Sequence, residues 1–252
     1  MHLRTTSFFF LLVLVGCSSG GDLRYHMPIT RLETPEVAGR SLGVATEFGV
    51  VGAQSVRLGK ARLPGSTYQF DRVKRVTDAY SAAFNLRVGI RESFEAIMRV
   101  RAQAPVMWGG KWQFKGTSRL QRVKGWKMGL ALLGGGQGVG SSDSSRGNEY
   151  QSDARVTAGE VNYLVGYRES EDVMFYGVTA LSYYGVSGKM SDRSADTLEV
   201  NGWSKQYAQT IGLELACGRL RCKLEGGIAN ANYRDNVNTT HGSWGAGADF
   251  FW

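Results

Sequence analysis

The chain is poor in the residues that carry most metal and acid–base chemistry, because its 252 residues include only three cysteines and three histidines. The histidines are His2, His26 and His241. No zinc-finger spacing, phosphate-binding P-loop or RNA-binding aromatic signature occurs, so the sequence predicts no metal, no cofactor and no nucleic-acid partner. No apolar run approaches the about 20 residues that a membrane-spanning helix needs.

Glycine, in contrast, is abundant, with 34 residues that follow no repeat period. The missing period excludes a collagen-like chain. Apolar residues make up 42% of the chain and aromatic residues 11%, which is too much for a disordered protein. The formal net charge of +8 favours an anionic partner or surface.

The N-terminal residues have the pattern that is typical of an export signal. A positive start at residues 2–4 precedes the eight-residue apolar run Phe8–Val15, which is too short to span a bilayer. The run ends in Leu-Val-Gly-Cys, and this resembles the lipobox of bacterial lipoproteins. The resemblance implies cleavage after residue 16, acylation of Cys17 and handling by the lipoprotein-sorting machinery. The alternative is an ordinary cleaved leader with an incidental cysteine.

The rest of the chain alternates with the period of β-strands. In the stretch 80–90, the apolar residues Tyr80, Phe84 and Leu86 share one face, and polar or small residues occupy the other. The alternating segments run for about 10–14 residues, longer than the about 5–6 of a usual soluble strand. Aromatic residues lie near the segment ends, as in the interfacial girdles of membrane barrels. These patterns predict a transmembrane antiparallel up-and-down β-barrel.

The strand count follows from the short turns and the polar stretches between segments. It gives about ten strands, with eight or twelve as alternatives, and twelve would require a hairpin inside residues 51–78. The chain therefore divides into a signal peptide at 1–16, a lipidated tether at 17–35 and an outer-membrane barrel at 36–252. The predicted strands are 36–50, 80–90, 94–104, 107–116, 122–135, 153–167, 172–187, 203–217, 220–233 and 243–252.

The last segment, Gly-Ala-Gly-Ala-Asp-Phe-Phe-Trp, resembles the C-terminal strand of bacterial outer-membrane β-barrels. Gly247, Phe250 and Trp252 hold the positions of the family's glycine, hydrophobe and final aromatic residue, whereas Gly245 replaces a polar residue. The resemblance is to the class rather than to one protein, and it covers residues 36–252. It implies recognition of this strand by the barrel-assembly machinery and residence in the outer membrane.

Charged residues alternate on the face that would line the barrel. They mix both signs, which indicates either an ion-paired filling that holds the barrel or a narrow pore with anion preference. The predicted lumen charges are Glu47, Arg87, Glu95, Arg99, Arg101, Lys111, Lys127, Glu160, Glu214, Lys223 and Glu225.

A second group of charges lies in the stretch 51–78, predicted to be a loop. On the outside of the cell these cations would meet lipopolysaccharide phosphates, and the alternative is a solvated loop with surplus lysine and arginine. The residues are Arg57, Lys60, Arg62, Arg72, Lys74 and Arg75.

Two small motifs remain. Cys217 and Cys222 bracket a turn on the outward face, so we expect a disulfide if they occupy opposed positions of the hairpin, and free thiols otherwise.

His241 and Ser243 weakly resemble the His-x-Ser motif of lipid A deacylases, which implies a hydrolase. The acidic residue that orients the histidine in that family has no counterpart in the sequence that follows.

The sequence therefore predicts an outer-membrane lipoprotein whose small barrel has a structural or surface-interaction role. Its expected partners are outer-membrane lipid and lipopolysaccharide. A narrow passive pore for a small solute is the alternative of a different class, and planar-bilayer conductance separates the two. Lipid hydrolysis by His241 and Ser243 ranks third.

Overall fold

A computed structural model describes residues 23–62, 68–143, 150–191, 197–234 and 237–252. Within these ranges no helix is long and apolar enough to cross a membrane. The regular structure of the described residues consists of eleven strands: β1 (Leu23–Pro28), β2 (Val44–Arg62), β3 (Tyr68–Arg91), β4 (Phe94–Arg101), β5 (Ala104–Lys115), β6 (Gly125–Asp143), β7 (Tyr150–Arg168), β8 (Val173–Ser191), β9 (Thr197–Cys217), β10 (Leu220–Tyr233) and β11 (Asn238–Phe251).

Strands β2 to β11 form a closed antiparallel barrel of ten strands. Each pairs with the next along the chain, and β11 pairs with β2 to close the ring. An even number of antiparallel strands with a closed edge is the architecture of outer-membrane barrels, because lipid cannot satisfy an open strand edge. The predicted fold class and strand number are confirmed.

The alternation seen in the sequence sets which side chains face outward. Trp244 of β11 and Trp252 directly after it are 52% and 60% exposed, whereas Asp249 of β11 is fully buried. Outward-facing apolar residues recur around the wall, as Phe48, Trp108 and Ile211 illustrate. The barrel thus has an apolar exterior and a lumen that holds its charges.

The two ends of the barrel differ. The proximal end carries Trp252, whose backbone N–H donates to the carbonyl of Val44 at 2.9 Å, and its tight turns lie at 92–93, 169–172 and 218–219. Long hairpins extend from the opposite, distal end. The β4–β5 hairpin is the exception, because these strands have only 8 and 12 residues and turn at 102–103.

The predicted basic loop at 51–78 is wrong. Strands β2 and β3 run on for 19 and 24 residues, and their pairing extends from Val44 opposite Val88 to Arg62 opposite Tyr68. Cross-strand hydrogen bonds satisfy a backbone that would otherwise need water, so one long hairpin replaces the loop. The six basic residues of this stretch accordingly lie on strands: Arg57, Lys60 and Arg62 on β2, and Arg72, Lys74 and Arg75 on β3.

The predicted boundary between tether and barrel is also wrong. The barrel wall begins at Val44 rather than at residue 36, and residues 25–38 are all buried. Strand β1 pairs with β2 from Leu23 opposite Leu58 to Pro28 opposite Ala53. The N-terminal segment is therefore held inside the barrel instead of forming a tether outside it. The predicted signal peptide, residues 1–16, and Cys17 lie outside the described residues.

Strand β1 supplies the middle of an apolar cluster within the barrel. Tyr25 lies with its ring centroid 6.2 Å from that of Tyr184, and Met27 is fully buried nearby in the same cluster. Val56 of β2 and Tyr233 of β10 complete this part of the core. Beyond β1, the chain enters a region of the lumen where ion pairs replace apolar contacts.

Candidate functional site

Residues 29–38, which we call the plug, pass through the lumen without forming a strand or a helix. A buried segment of this kind must find a partner for each backbone polar group. Glu225 accepts hydrogen bonds from the backbone N–H groups of Arg31 and Leu32, both at 2.7 Å. Farther along, Glu95 accepts from the N–H of Ala38 at 3.0 Å. Inward carboxylates of the wall thus take the place of a neighbouring strand.

Cations of the wall bind the carbonyl groups of the plug in the same way. The Lys111 ammonium donates to the carbonyl oxygens of Thr34 and Glu36 at 3.1 and 2.8 Å. Lys223 donates to the carbonyl of Leu32 at 2.9 Å. The charged side chains of the wall thus bind the backbone of the plug and fix its path through the lumen.

The charged side chains of the plug complete the arrangement. Arg31 forms a salt bridge with Glu160 at 3.0 Å, and Glu33 pairs with Arg99. Glu36 forms a third pair, with Arg168 at 2.7 Å. Each charge that the plug carries into the barrel therefore meets the opposite sign on the wall.

A further ion cluster closes the proximal end of the lumen around Asp249. Its carboxylate pairs with Arg87, with Arg119 at 2.9 Å and with Lys223 at 3.2 Å. Arg119 comes from the segment between β5 and β6. Burial is the largest single influence on Arg119 and lowers its pKa, but the carboxylates of Asp249, Glu214 and Glu95 together outweigh burial and hold that pKa above its usual value.

All eleven charges that the sequence places in the lumen are buried in the structure. Sequence reasoning missed the wall residues Arg168 and Arg221, which share the inward face of β7 and β10, so their position in the alternation was the available signal. Both pair with Glu214 at 2.9 Å. The charges of the plug were missed because they were assigned to a tether.

A different group of polar residues lies at the seam between β11 and β2. These strands pair only from Ala246 opposite Val50 to Phe251 opposite Ala45. Distal to this point, the imidazole Nδ1 of His241 lies 2.5 Å from the carboxylate of Asp78 on β3. The structure thus supplies an acidic partner for His241 that the sequence after the histidine lacks.

Ser243 shares the face of His241 but packs toward β2. A Cβ atom added at Gly52 would lie 1.7 Å from the Ser243 hydroxyl oxygen, so the serine fits directly over the glycine backbone. Within the described residues, no hydrogen bond joins Ser243 to His241. The seam therefore holds a histidine–carboxylate pair, and the hydroxyl beside it is not engaged as an activated nucleophile.

The expected disulfide is wrong. Cys217 and Cys222 are both exposed and both free. The register of the hairpin pairs Cys217 with Leu220 and Cys222 with Leu215. The two cysteines are therefore diagonal rather than opposed, and diagonal neighbours lie about 7–8 Å apart, which is beyond the usual reach of a disulfide.

The residues of the C-terminal motif lie where β11 meets β2. Phe250 and Trp252 pack edge to face outside the wall, with ring centroids 4.6 Å apart. Phe251 faces the other way and lies under the Arg40 guanidinium, 5.4 Å from the ring centroid. Within the described ranges, no group of three or more histidine, cysteine or acidic residues is placed to hold a metal.

No protein-family model matches the chain, and no curated protein matches it. Among solved structures, the chain is similar to the β domain of the Bordetella autotransporter BrkA, with 9% identity and a TM-score of 0.42 over 84% of this chain and 98% of that one. It is also matched with an anion-selective porin from Comamonas acidovorans, with 9% identity and a TM-score of 0.15 over 92% and 98%. Neither likeness bears on what this chain binds or does.

Proposed function

We propose that the protein is an outer-membrane lipoprotein whose barrel is closed and serves a structural or surface-interaction role. The observation that carries the proposal is the plug, because residues 31–37 are fully or almost fully buried among matched charges. A solute path would need water along the lumen, yet its charges are bound to the plug or to one another, apart from Lys127, which donates to Thr117. Lipid-facing strands then act as a scaffold for the distal hairpins.

The energetics favour a fixed plug over a gate that opens readily. Replacing a buried ion pair by apolar residues is often neutral, but removing one partner leaves an uncompensated charge and costs about 3–5 kcal/mol. Moving the plug out would break the pairs of Arg31, Glu33 and Glu36 together. It would also uncover the backbone contacts of Glu225 and Lys111. The geometry therefore supports a closed lumen and counts against the passive-pore alternative.

Planar-bilayer recording of the purified full chain tests this proposal. We expect no steady conductance from the full chain, and ion-sized openings from a variant that lacks residues 29–38. Heat-modifiable migration on a gel checks that the shortened variant still forms a barrel. Steady open-channel currents from the intact protein would overturn the closed-lumen proposal and favour the pore.

Lipid hydrolysis is the second candidate, and the His241–Asp78 pair is the observation that favours it. A histidine held by a carboxylate is the arrangement that general-base catalysis uses. It ranks below the scaffold role because Ser243 packs against Gly52. We expect His241→Ala and Asp78→Asn to leave the lipid A profile of the cells unchanged, and loss of a deacylated species in both variants would promote the hydrolase.

A further inference from the structure

Arg101, the last residue of β4, is a buried cation that forms no salt bridge within the described residues. The residue is 4% exposed. Its hydrogen bond among those residues runs from Nη2 to the Arg31 carbonyl oxygen at the long distance of 3.4 Å, and its Nε has no acceptor there. Burying a charge is costly unless an opposite charge compensates it. The position of Arg101 therefore calls for an anionic partner.

The carboxylate that faces Arg101, that of Glu160, is already bound by other donors. Its Oε1 accepts hydrogen bonds from Arg99 and Asn162. Its Oε2 forms a salt bridge with Arg31 at 3.0 Å. Arg31 and Arg99 thus take up the charge of Glu160, and both are cations that repel the guanidinium of Arg101.

The charge balance around Arg101 is positive. Arg31, Arg99 and Arg101 are three guanidinium groups, and the carboxylates that pair within this group are Glu33 and Glu160. One positive charge is left over. Across the whole lumen, ten buried arginine and lysine residues meet eight buried aspartate and glutamate residues within the described ranges. A single negative charge beside Arg101 balances the local set.

Two more buried donors in this part of the lumen lack acceptors among the described residues. Tyr184 is fully buried and faces Arg101, and its hydroxyl makes no hydrogen bond of normal geometry. The Nε of Arg31 is in the same state. Arg31 reaches Ser182 at 3.1 Å, and Ser182 and Tyr184 are successive inward positions of β8. Buried polar groups in native proteins are normally satisfied, so these donors indicate a shared acceptor.

A small ion has a short route to Arg101 from the distal solvent. Arg101 directly precedes the turn at 102–103, and both turn residues are partly exposed. This turn joins the two short strands β4 and β5, which have 8 and 12 residues. The backbone N–H of His26 donates to the Gln103 carbonyl at 2.7 Å. The contact with β1 holds the turn in place beside the cation.

We propose that the lumen binds one small monovalent anion of the chloride class, held by the guanidinium of Arg101 and the hydroxyl of Tyr184. The anion is a fixed ligand that completes the charge network around the plug, which goes beyond the closed-barrel proposal. A single charge matches the local surplus, whereas a doubly charged anion such as sulfate would exceed it.

Thermal unfolding of the purified full chain in nonionic detergent, followed by near-ultraviolet circular dichroism, tests the proposal. Sodium chloride is compared with sodium gluconate at equal ionic strength, because gluconate is too bulky to enter the packed lumen. We expect the unfolding midpoint of the wild type to be higher by about 3 °C or more in chloride. The dependence on chloride concentration gives the apparent affinity.

The test variant is Arg101→Gln, in which chloride should raise the midpoint by less than about 1 °C. In gluconate this variant should be at least as stable as the wild type, because the wild type then holds an uncompensated buried charge. The control is Arg155→Gln at an exposed position of β7. It loses the same charge and should keep the full response to chloride.

Tyr184→Phe removes one hydroxyl and keeps the ring that lies beside Tyr25. It should raise the chloride concentration needed for half of the effect about tenfold, because it removes a hydrogen bond to the anion. If Arg101→Gln does not fold, this variant carries the test, and an unchanged chloride response in Tyr184→Phe would overturn the site.

Three further results would overturn the proposal. Equal midpoints of the wild type in the two salts would show that no anion binds, as when Arg101 turns to the Glu33 Oε1, which has no partner. A full chloride response in Arg101→Gln would place the anion elsewhere. Equal destabilisation of Arg101→Gln in both salts would make Arg101 a structural residue only. Planar-bilayer conductance remains a separate measurement, so each of these failures is distinguishable from failure of the closed-barrel proposal.

Discussion

At the scale of single residues, Asp249 has a larger share of the ion pairing than its place near the end of the chain suggests. It is fully buried and pairs with three cations that arrive from β3, from the segment before β6 and from β10. One carboxylate therefore ties three separate parts of the barrel together. Removing its charge leaves the three cations close to one another with Glu47 and Glu214 as their remaining carboxylates.

We expect Asp249→Asn to destabilise the barrel by about 3–5 kcal/mol, because it breaks a buried charge network and retains the volume of the side chain. Urea unfolding of the refolded protein, followed by tryptophan fluorescence, measures the loss. Asp172→Asn in an exposed proximal turn is the matched control and should change stability by less than about 0.5 kcal/mol. An equal effect of the two substitutions would contradict the role of Asp249.

The sequence predicts residue facing well because strand alternation depends only on local order. It indicated that Asp249 and the lumen glutamates point inward, and these residues are buried. It could not predict which charges would meet, since Glu36 reaches Arg168 across 132 residues of chain. The same limit explains why Asp78 was missed as the partner of His241, because the contact joins two strands that are not paired and lies across 163 residues of chain.

At the scale of elements, the seam between β11 and β2 is closed by a short ladder and by close backbone packing. The ladder has six residue pairs, after which β2 exchanges β11 for β1 as its neighbour. Gly52 lies at this exchange. A Cβ atom there would lie 1.7 Å from the Ser243 hydroxyl oxygen and 2.8 Å from the Trp244 carbonyl oxygen.

We expect Gly52→Ala to destabilise the barrel by about 1–3 kcal/mol, because the added methyl group overpacks a contact that backbone atoms cannot relieve. Gly138→Ala in β6 is the control, since nothing lies within 4 Å of the position its Cβ would occupy. The temperature at which the folded gel band disappears compares the two variants. Equal temperatures would show that β11 does not pack on Gly52.

Strand number was predictable, but the lengths of β2 and β3 were not. The stretch 51–78 has many charges and glycines, and composition of this kind is typical of loops. Tertiary pairing overrides this local preference, because each strand supplies hydrogen-bond partners for the other over eighteen residue pairs.

The position of the plug could not be predicted for a related reason. The plug sequence Pro-Ile-Thr-Arg-Leu-Glu-Thr-Pro-Glu has no strand alternation. Its position inside the barrel depends on the oppositely charged residues of the wall, which are far away in the sequence.

At the scale of the whole molecule, the chain runs lengthwise through its own barrel before it builds the wall. Leu23 is opposite Leu58 toward the distal end, and the plug then descends until β2 begins at Val44 beside Trp252. The described part of the chain therefore begins at the distal end of the barrel. Longer hairpins mark the outward end of outer-membrane barrels, so we expect Leu23 to lie toward the cell exterior.

We predict that the segment before Leu23 is exposed on intact cells and that an acyl group on Cys17 enters the outer leaflet. Leu23 lies six positions after Cys17, a reach of at most about 20 Å, which keeps such an anchor at the distal membrane surface. An epitope inserted between Ser19 and Gly20 should bind antibody on intact cells. The same epitope after Gly218, in a proximal turn, should bind only after permeabilisation.

Acylation itself is tested separately by labelling cells with a palmitate analogue, and the label should be lost in Cys17→Ala.

Both epitope variants must retain heat-modifiable migration on a gel, which shows that the antibody result comes from a folded barrel. If the epitope at residue 19 is reached only after permeabilisation while the barrel remains folded, the N-terminal segment does not leave at the outer face. The direction of the plug, or the orientation of the barrel in the membrane, would then be reversed. The epitope after Gly218 decides between the two, because a reversed barrel exposes it on intact cells and a reversed plug does not.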